Sequence, residues 1–242
     1  MTTHHDASGI SVFFPTFNDE KTIGAIIAEV STLLPTLTDD YEVIVINDGS
    51  TDSTGDVVSE IARVLPGIRL ISHHENQGYG AALRSGFRHA SKDLIFYTDG
   101  DGQYDVRELS GLLPLMTPDC HVVNGYKVKR ADPFHRVILG SLYNGVARLL
   151  FRLRIRDVDC DFRLIRRSAL EGIHLSSSSG VICVEMIYRL QSAGCIFAES
   201  PVRHYQRPYG KSQFFTVQSV AHTVFDLLTL WIKLVVFRMK WE

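Results

Sequence analysis

The sequence predicts an α/β protein, with one large domain built on a mostly parallel sheet that helices cover on both faces. Over the first hundred residues, short apolar runs rich in β-branched and aromatic residues alternate with segments that repeat apolar residues at helical spacing. Strands that are apolar along their whole length are typical of parallel sheets buried on both faces. Polar clusters follow three of these strands, and in such sheets ligands bind at the carboxyl ends of the strands.

Length and composition narrow the classes of protein to consider. The 242 residues, 45 % of them hydrophobic, suffice for one large domain with a substantial core. The net charge of −2 gives no general attraction to nucleic acid, so no nucleic-acid partner is expected. The four cysteines show no CxxC spacing, which favours buried thiols in a reducing compartment. Residues 1–9 lack the pattern of a signal peptide and are predicted to be a disordered lead of a cytoplasmic protein.

Four strands and three helices are predicted in the first hundred residues. The predicted strands are ISVFFPTF (10–17), YEVIVINDGS (41–50), IRLISHH (68–74) and DLIFYTDGD (93–101). The predicted helices are KTIGAIIAEVSTLL (21–34), TDSTGDVVSEIARVL (51–65) and NQGYGAALRSGFRHA (76–90). The polar clusters PTFND, NDGSTD and TDGDGQ therefore stand at the ends of three strands, which predicts a shared pocket.

The second half of the chain is less regular. HVVNGYKVKR (121–130) is predicted to be a strand with a basic exit, and 133–153 an amphipathic helix that carries arginines. IRDVDCDFRLIRRSAL (155–170) is predicted to form a loop, a short strand and then a helix. VICVEMIYRLQSAG (181–194) is predicted to be a helix, and 195–214 a strand followed by a basic loop.

The acidic segment after the fourth strand, TDGDGQYD, resembles a calcium loop only superficially. An EF-hand needs a helix on each side and a glutamate at the twelfth position, whereas here a strand precedes the loop and Ser110 stands twelfth from Asp99. A plain acidic turn is the other simple interpretation, because an Asp-Gly pair by itself marks only a turn.

The spacing of the acidic residues favours a metal site over a plain turn. Asp99 and Asp101 can both reach one divalent cation if the chain turns at Gly100, and Gln103 can supply a neutral oxygen. One or two carboxylates together with substrate phosphates is the usual way in which proteins hold magnesium. The third aspartate, Asp105, is predicted to cap the helix that follows.

A family resemblance rests on six blocks in a fixed order: PTFNDE, NDGSTD, NQGYGAALRSGF, DGDGQYD, DVDCDFRLIRR and RPYGKSQF. Over residues 10–213 the chain resembles the inverting glycosyltransferases of family 2, in the branch of dolichol-phosphate mannosyltransferase and its bacterial polyprenyl-phosphate relatives. The resemblance implies the GT-A fold, a single nucleotide-binding α/β domain. It also implies Mg²⁺ or Mn²⁺ as cofactor and a nucleotide-diphosphate sugar as donor.

The resemblance also implies which residues bind the donor and the metal. The nucleotide and diphosphate contacts are expected at Pro15, Phe17, Asp19, Asp48, Gly78, Gly80, Asp99, Gly100, Asp101 and Arg207. The metal is expected on Asp99, Asp101 and Gln103. Glutamate is usual in the family at position 19, so either Asp19 or Glu20 could be the working carboxylate. The two glycines of the NQGYG block are expected to let the chain approach the nucleotide closely.

Three alternating aspartates, Asp157, Asp159 and Asp161, would share one face if they lay on a strand. An inverting enzyme that glycosylates a hydroxyl needs such a carboxylate as its base, with Asp159 or Asp161 the best candidate. A phosphate acceptor is already an anion and needs only positioning and partial charge neutralisation. With that acceptor, the aspartates would orient arginines or the sugar.

Basic residues extend this expectation to the acceptor and the diphosphate. Arg136 corresponds to an arginine that contacts the acceptor phosphate in the lipid-phosphate branch, and Ser141 lies about where a serine does likewise. Arg207, with Lys211 and Ser212 after it, matches an arginine that reaches the donor diphosphate when a flexible loop closes.

Residues 214–242 are predicted to form a C-terminal amphipathic helix. Polar residues recur every three or four positions from Ser219 onward, and the rest of the segment is strongly apolar. No run reaches the ~20 uninterrupted apolar residues of a spanning helix, so a peripheral position at a membrane interface is expected. A dimer interface, or contact with a membrane partner protein, fits the same pattern.

These features together predict an enzyme that moves a hexose from a GDP- or UDP-sugar to a polyprenyl phosphate at the cytoplasmic membrane face. The nearest alternative is the same chemistry on a hydroxyl of a saccharide or glycolipid. A non-catalytic nucleotide-sugar-binding subunit is an alternative of another class, which the retained acidic and basic blocks oppose. A nucleotidyltransferase would need a glycine- and arginine-rich loop after the first strand, where PTFNDE is acidic.

Overall fold

A seven-stranded sheet forms the centre of the protein in the computed structural model, which describes residues 9–130, 133–209 and 217–237. The spatial order of the strands is β3-β2-β1-β4-β6-β5-β7. Their bounds are β1 Ile10–Thr16, β2 Tyr41–Asn47, β3 Ile68–Ser72, β4 Leu94–Thr98, β5 Val122–Arg130, β6 Phe162–Arg166 and β7 Phe197–His204. The predicted mostly parallel sheet is confirmed: β6 alone among these strands runs against both of its neighbours, β4 and β5.

Eight α-helices accompany the sheet in the described part of the chain. They are α1 Ile23–Leu33, α2 Thr54–Val64, α3 Tyr79–His89, α4 Leu109–Leu112, α5 Phe134–Phe151, α6 Arg167–Leu170, α7 Ile182–Ser192 and α8 Val217–Trp231. The last helix continues as a π-helical turn over Ile232–Val236.

Successive side chains of β1 show why its sequence is mostly apolar. Val12 and Phe14 join one core with helix α1, whereas Phe13 between them joins a second core on the opposite face with α3 and α7. All three are completely buried. A strand with helices on both faces has no exposed face, so apolar residues are favourable at every position. The predicted cover on both sides is therefore confirmed.

A third apolar cluster joins α5, α7 and α8 at one side of the sheet. Leu227, Leu230 and Leu234 pack inward there, and the indole Nε1 of Trp231 donates a hydrogen bond to the carbonyl of Leu150, 3.0 Å away. The C-terminal helix is thus packed against the predicted 133–153 helix rather than extended from the domain. The boundary predicted at 213/214 lies outside the described residues.

The C-terminal helix differs from its expected form in its uninterrupted length. The segment Ser219–Val236 is long and apolar enough, by length and composition, to cross a membrane, because the helix continues through Asp226 and Lys233. The polar residues His222 and Lys233 are exposed on the helix, and Val224, Phe225 and Leu228 are exposed as well. Asp226 instead accepts a hydrogen bond from the hydroxyl of Ser179.

Candidate active site

The polar ends of three neighbouring strands meet at one edge of the sheet. Strands β2, β1 and β4 are adjacent and parallel, so the residues after Asn47, Thr16 and Thr98 leave the sheet side by side. The backbone N–H of Asp48 donates to the carbonyl of Thr16 at 3.0 Å, and Gly100 N–H donates to the carbonyl of Pro15 at 3.3 Å. The structure therefore brings the three predicted clusters together.

The acidic loop, residues 99–105, places two carboxylates in a shielded position. Asp101 is 5 % exposed, and Asp99 accepts a hydrogen bond from the hydroxyl of Tyr79 at 2.8 Å. Burial raises the pKa of Asp99 well above its usual range, and the nearby carboxylates of Asp161 and Asp101 raise it further. This concentration of negative charge is a favourable place for a cation.

Glycines in the acidic loop allow its tight path. A Cβ on Gly100 would lie 2.5 Å from the Thr16 side chain, and its carbonyl accepts a hydrogen bond from the hydroxyl of Thr22. Gly102 has a φ of +78°, in the left-handed region that favours glycine. Asp105 accepts a hydrogen bond from Arg107 N–H and begins a 3₁₀ turn, so its predicted capping role is confirmed.

Arg207, from the loop after β7, reaches the acidic loop. Its Nη2 lies 2.5 Å from Oδ2 of Asp101. Its Nε is buried, and no hydrogen-bond acceptor for it lies among the described residues. The side-chain amide of Gln103 donates to the carbonyl of Tyr205 at 3.1 Å, which holds the two loops together. Gln103 as a metal ligand stays a prediction, and Lys211 and Ser212 lie outside the described residues.

Asp19 and Glu20 have different surroundings. The carboxylate of Glu20 accepts a hydrogen bond from Ser53 N–H, which fastens it to the start of α2. Asp19 faces the acidic loop, where Asp101 and Arg207 act on it electrostatically, and burial is the main cause that raises its pKa to about 6. The geometry favours Asp19 as the carboxylate of the site.

A cavity of about 200 Å³ opens beside this first loop. Its lining residues are Asn18, Asp19, Glu20, Lys21, Thr22, Asp52 and Tyr209. Pro15 is buried at the end of β1, and Phe17 is half-buried and donates its N–H to Asp19. The roles of Pro15, Phe17 and Asp19 in nucleoside binding stay predictions.

Asp48 holds the NQGYG loop, residues 76–80, here called the glycine loop. Its carboxylate is 2.6 Å from Nδ1 of His73 and accepts hydrogen bonds from the backbone N–H groups of Gln77 and Gly78. With these three partners the carboxylate is largely engaged within the protein. Its predicted contact with the base or ribose is untested, and in this structure it positions the loop.

The two glycines of the loop approach the protein's own backbone. A Cβ on Gly78 would lie 2.6 Å from the carbonyl oxygen of Ser178, and one on Gly80 would lie 2.2 Å from that of Ser177. Gly80 N–H donates to the Ser178 carbonyl at 2.7 Å. The serine segment, residues 176–179, is therefore the neighbour that requires glycine here, and nucleotide contact at Gly78 and Gly80 stays a prediction.

The three alternating aspartates do not lie on a strand. Strand β6 begins only at Phe162, so residues 157–161 form a loop, here called the aspartate loop, and the shared strand face considered above is not formed. Asp157 accepts hydrogen bonds from the N–H groups of Lys127 and Asp159. These hydrogen bonds to the Asp157 side chain satisfy backbone N–H groups that are not paired with a neighbouring strand here.

The other two aspartates of this loop face cations. Asp159 lies 3.3 Å from the buried ammonium of Lys127. Asp161 lies 3.1 Å from Nη1 of Arg163, and the thiol of Cys183 lies 3.1 Å from the same oxygen. The basic partners Lys127 and Arg163 were not predicted. An arginine inside the apolar run FRLIR was the signal that could have identified the second of them.

Arg136 lies in the first turn of α5 and is half-buried. Further along this helix, Ser141 and Asn144 line a cavity of about 220 Å³ between α5, β5 and the aspartate loop. The other lining residues are Tyr126, Lys127, Arg156 and Asp157. This β5–α5 cavity is polar and carries two cationic side chains, while Arg136 is not among its lining residues.

Among the residues that the structure describes, no metal site is complete in the protein side chains alone. Within residues 9–130, 133–209 and 217–237, no group of three or more His, Cys, Asp or Glu could hold a metal ion. Two clustered carboxylates remain, Asp99 and Asp101. They fit a divalent cation that takes further ligands from a bound diphosphate.

Comparison with known proteins defines the class. The family model described as glycosyl transferase family 2 matches residues 11–173, and the chain belongs to this family. It is an enzyme that transfers glycosyl groups. It is similar to the undecaprenyl-phosphate 4-deoxy-4-formamido-L-arabinose transferase of Edwardsiella ictaluri, with 25 % identity over 223 residues, which are 91 % of this chain and 67 % of the relative.

Solved structures confirm the GT-A fold. One is glucosyl-3-phosphoglycerate synthase from Mycobacterium tuberculosis with Mn²⁺, UDP and phosphoglyceric acid (TM-score 0.68, 22 % identity, 93 % of this chain and 79 % of that chain). Another is a mannosyltransferase from Pyrobaculum calidifontis with GDP-Man and Mn²⁺ (TM-score 0.68, 19 % identity, 97 % of this chain and 66 % of that chain).

Proposed function

We propose that the protein is an inverting, metal-dependent transferase that moves a hexose from a GDP- or UDP-sugar to a polyprenyl phosphate at the cytoplasmic face of a membrane. The part of this proposal that concerns the donor rests on the site where the polar ends of β2, β1 and β4 meet. The named complexes of the two structural neighbours include UDP or GDP-Man with Mn²⁺. The acceptor half rests on the aspartate loop, the β5–α5 cavity and the name of the curated relative.

Asp99 and Asp101, with Gln103 as the predicted third ligand, would hold Mg²⁺ or Mn²⁺. The fit follows from the charge of the site, because burial and neighbouring carboxylates raise the pKa of Asp99, and a cation relieves that cost. When bound, a divalent metal offsets the negative charge that develops on the departing nucleoside diphosphate.

Arg207 acts on the same side of the reaction. It pairs with Asp101 through Nη2 and has its buried Nε without a described acceptor. A buried donor without a partner is costly, and a diphosphate oxygen is an acceptor that would satisfy it. Arg207 would therefore bind the diphosphate and help to stabilise its leaving charge, while Asp19 and Phe17 orient the nucleoside.

The observation that carries the choice of acceptor is the engagement of all three candidate bases. Asp157 accepts from backbone N–H groups, Asp159 pairs with Lys127, and Asp161 pairs with Arg163. A carboxylate whose oxygens accept hydrogen bonds from fixed donors has fewer lone pairs free to take a proton from a hydroxyl. A hydroxyl acceptor would need a base, whereas a phosphate oxygen attacks as the anion and needs only orientation.

The β5–α5 cavity gives such a phosphate a place to bind. Lys127 and Arg156 supply cationic donors there, each already paired with a carboxylate, Asp159 and Glu199 respectively, and Asp157 also lines the cavity. Ser141 supplies a hydroxyl beside them. The phosphate would lie there with the chain of the lipid directed toward α5, and Arg136 in the first turn of that helix would add a further cation. Binding in the cavity orients the attacking oxygen and neutralises part of its charge.

A lipid acceptor also needs contact with a membrane surface. Helices α5 and α8 pack side by side, and each exposes apolar side chains. On α5 they are Ile138, Leu139, Leu142, Val146 and Leu149, and on α8 and its π-turn they are Val224, Phe225, Leu228, Ile232 and Val236. This apolar two-helix face would lie in the membrane interface beside the cavity. A second copy of the chain or a membrane partner protein would cover the same face in the alternative case.

The test measures sugar transfer by the purified full chain with Mn²⁺. Polyprenyl phosphate is compared with saccharides as the acceptor, and each acceptor is assayed with a GDP-sugar and with a UDP-sugar as the donor. Transfer to polyprenyl phosphate is expected. Transfer to saccharides alone would show that the acceptor is a hydroxyl. A thermal-shift screen of the same donors identifies the nucleotide independently of the acceptor, because a ligand that binds the folded state raises its stability.

A further inference from the structure

Arg163 is a completely buried arginine at the centre of the sheet. A charged side chain is rarely found without solvent exposure unless partners satisfy it, because removing the charge from water is costly. The sequence shows Arg163 inside the apolar run of β6, where an aliphatic residue would pack at less cost. Its retention in the core needs an explanation beyond packing.

The partners of Arg163 come from three separate parts of the fold. Its Nε donates to Oδ1 of Asn124 on β5 at 2.5 Å, and its Nη1 donates to the hydroxyl of Tyr97 on β4. In the sheet register, Tyr97, Arg163 and Asn124 are direct neighbours across three adjacent strands. The guanidinium thus links β4 to β5, the two strands that flank β6 in the sheet.

The same guanidinium also holds the aspartate loop. Nη1 lies 3.1 Å from the carboxylate of Asp161, and Nη2 donates to the carbonyl of Val158 at 2.5 Å. Asn124, the partner of Nε, donates in turn to the carbonyl of Asp157 at 3.0 Å. Both ends of the loop are therefore tied to one planar group, which has the fixed fork geometry that a lysine lacks.

These contacts connect the donor and acceptor sides of the site. Tyr97 precedes the proposed metal carboxylate Asp99 by two residues on β4, and Asn124 precedes Lys127 of the β5–α5 cavity by three on β5. Strand β6 lies between β4 and β5 in the sheet. A shift of the guanidinium would change the distance between the two sides.

We propose that Arg163 is a positioning residue of the transfer reaction, which sets the aspartate loop and the acceptor cavity at their working distance from the donor site. The inference rests on the proposed glycosyl transfer. It predicts that loosening this group reduces turnover without weakening donor binding, since misplacement of about 1 Å can cost about 100-fold in rate.

The central experiment compares Tyr97→Phe with Tyr188→Phe. Each variant removes one hydrogen-bonded tyrosine hydroxyl and changes almost no volume, but the Tyr188 hydroxyl donates to the carbonyl of Leu234 and not to Arg163 or the aspartate loop. Arg163→Lys is the second variant, because it keeps the charge and loses the fork. Three quantities are measured: kcat with the acceptor that the wild type uses best, Kd for nucleotide with Mn²⁺, and hydrogen exchange of the peptide covering 157–161.

The expected result for Tyr97→Phe is a fall in kcat of about 10-fold, with a larger fall in Arg163→Lys. Nucleotide Kd stays within about 2-fold of the wild type, exchange of the 157–161 peptide becomes faster, and Tyr188→Phe changes none of the three. A lower melting temperature with unchanged kcat and unchanged exchange would show a purely structural role and overturn the inference. A rise in the Kd for nucleotide by the same factor as the fall in kcat would also overturn the inference.

The two proposals fail in different ways. Absence of transfer to polyprenyl phosphate by the wild type refutes the proposed acceptor, and the variants are then compared on the acceptor that is used. The exchange measurement needs no substrate, so unchanged exchange in both Tyr97→Phe and Arg163→Lys refutes the positioning role whichever acceptor is correct.

Discussion

Replacing Glu185 with glutamine tests how the serine segment, which packs against the glycine loop, is held in place. Glu185 is completely buried on α7, and its two oxygens accept hydrogen bonds from the N–H groups of Ser176 and Ser177. Oε1 also accepts from the hydroxyl of Ser176 and from Nε of Arg189, each at 3.0 Å. Glutamine has the same shape but carries an NH₂ group in place of one oxygen and has no charge.

The magnitude follows from what the amide cannot do. If its oxygen takes the place of Oε1, its NH₂ faces Ser177 N–H across a contact that is 2.8 Å long in the wild type, so two donors meet. Losing one charge-assisted hydrogen bond costs about 1.5–3 kcal/mol, and Arg189 also loses its charged partner. We expect a destabilisation of about 3 kcal/mol, which corresponds to a fall in Tm of roughly 6–12 °C for a domain of this size.

The pH dependence has a defined sign. Burial by itself raises the pKa of Glu185, but hydrogen bonds from Ser177 and Ser176 and the charge of Arg189 outweigh it and lower the pKa below its ordinary value of 4.5. A pKa that is lower in the folded state gives stability above the unfolded value that is lost as the pH falls through the folded value. The difference between wild type and Glu185→Gln is therefore largest near neutral pH and shrinks in acid.

Urea denaturation at neutral and acid pH measures both quantities. The matched control is Glu171→Gln, an exposed glutamate that pairs with Arg167 one turn earlier at 3.6 Å. That variant should stay within about 0.5 kcal/mol of the wild type. The reasoning is refuted if Glu185→Gln is as stable as this control, or if its deficit is the same at every pH.

Three further predictions concern the donor site and the apolar two-helix face. Asp101→Asn should lower metal-dependent turnover at least about 100-fold, whereas Asp105→Asn, which removes only a cap in the same loop, should keep turnover within about 2-fold of the wild type. Steady-state kinetics with Mn²⁺ measures both, and equal losses in the two variants would contradict the metal assignment. Asp19 has a pKa of about 6 in the fold against 3.8 unfolded, so its ionisation opposes folding as the pH rises through this range. Asp19→Asn should therefore gain stability relative to the wild type, by up to about 3 kcal/mol at pH 7 and by none at pH 3.5, in denaturant titrations. Phe225→Glu should reduce sedimentation with anionic phospholipid vesicles at least about 5-fold. Val64→Glu, at an apolar position on α2 that is at least as exposed, should not reduce it, and similar binding by both variants would remove the apolar two-helix face from the proposal.

Local patterns were sufficient for the first half of the fold. The strands ending in PTFND, NDGSTD and TDGDGQ lie where the sequence places them, and their polar ends meet because adjacent parallel strands finish at one edge of a sheet. Asp105 caps its turn as predicted, since a cap depends on residues within one turn of it.

Contacts between distant segments were not predictable in the same way. The pairing of Arg163 with Tyr97 joins residues 66 positions apart, and it exists only because β6 inserts between β4 and β5. The close neighbour of Gly80 was not predictable either: it is the serine segment, which approaches through the packing of α7. Neither contact leaves a periodic signal in the sequence, because periodicity reports burial and not the identity of the partner.

The amino-acid sequence by itself determined the α/β class, the strand-end cluster and the family, because these depend on spacing within short segments and on the order of the blocks. The tertiary structure decided which charges face one another. It places Asp161 against Arg163, Arg207 against Asp101, and the buried leucines of α8 against α5. The physical reason is that a buried charge selects its partner through three-dimensional proximity, which strand order and helix packing set only when the whole chain has folded.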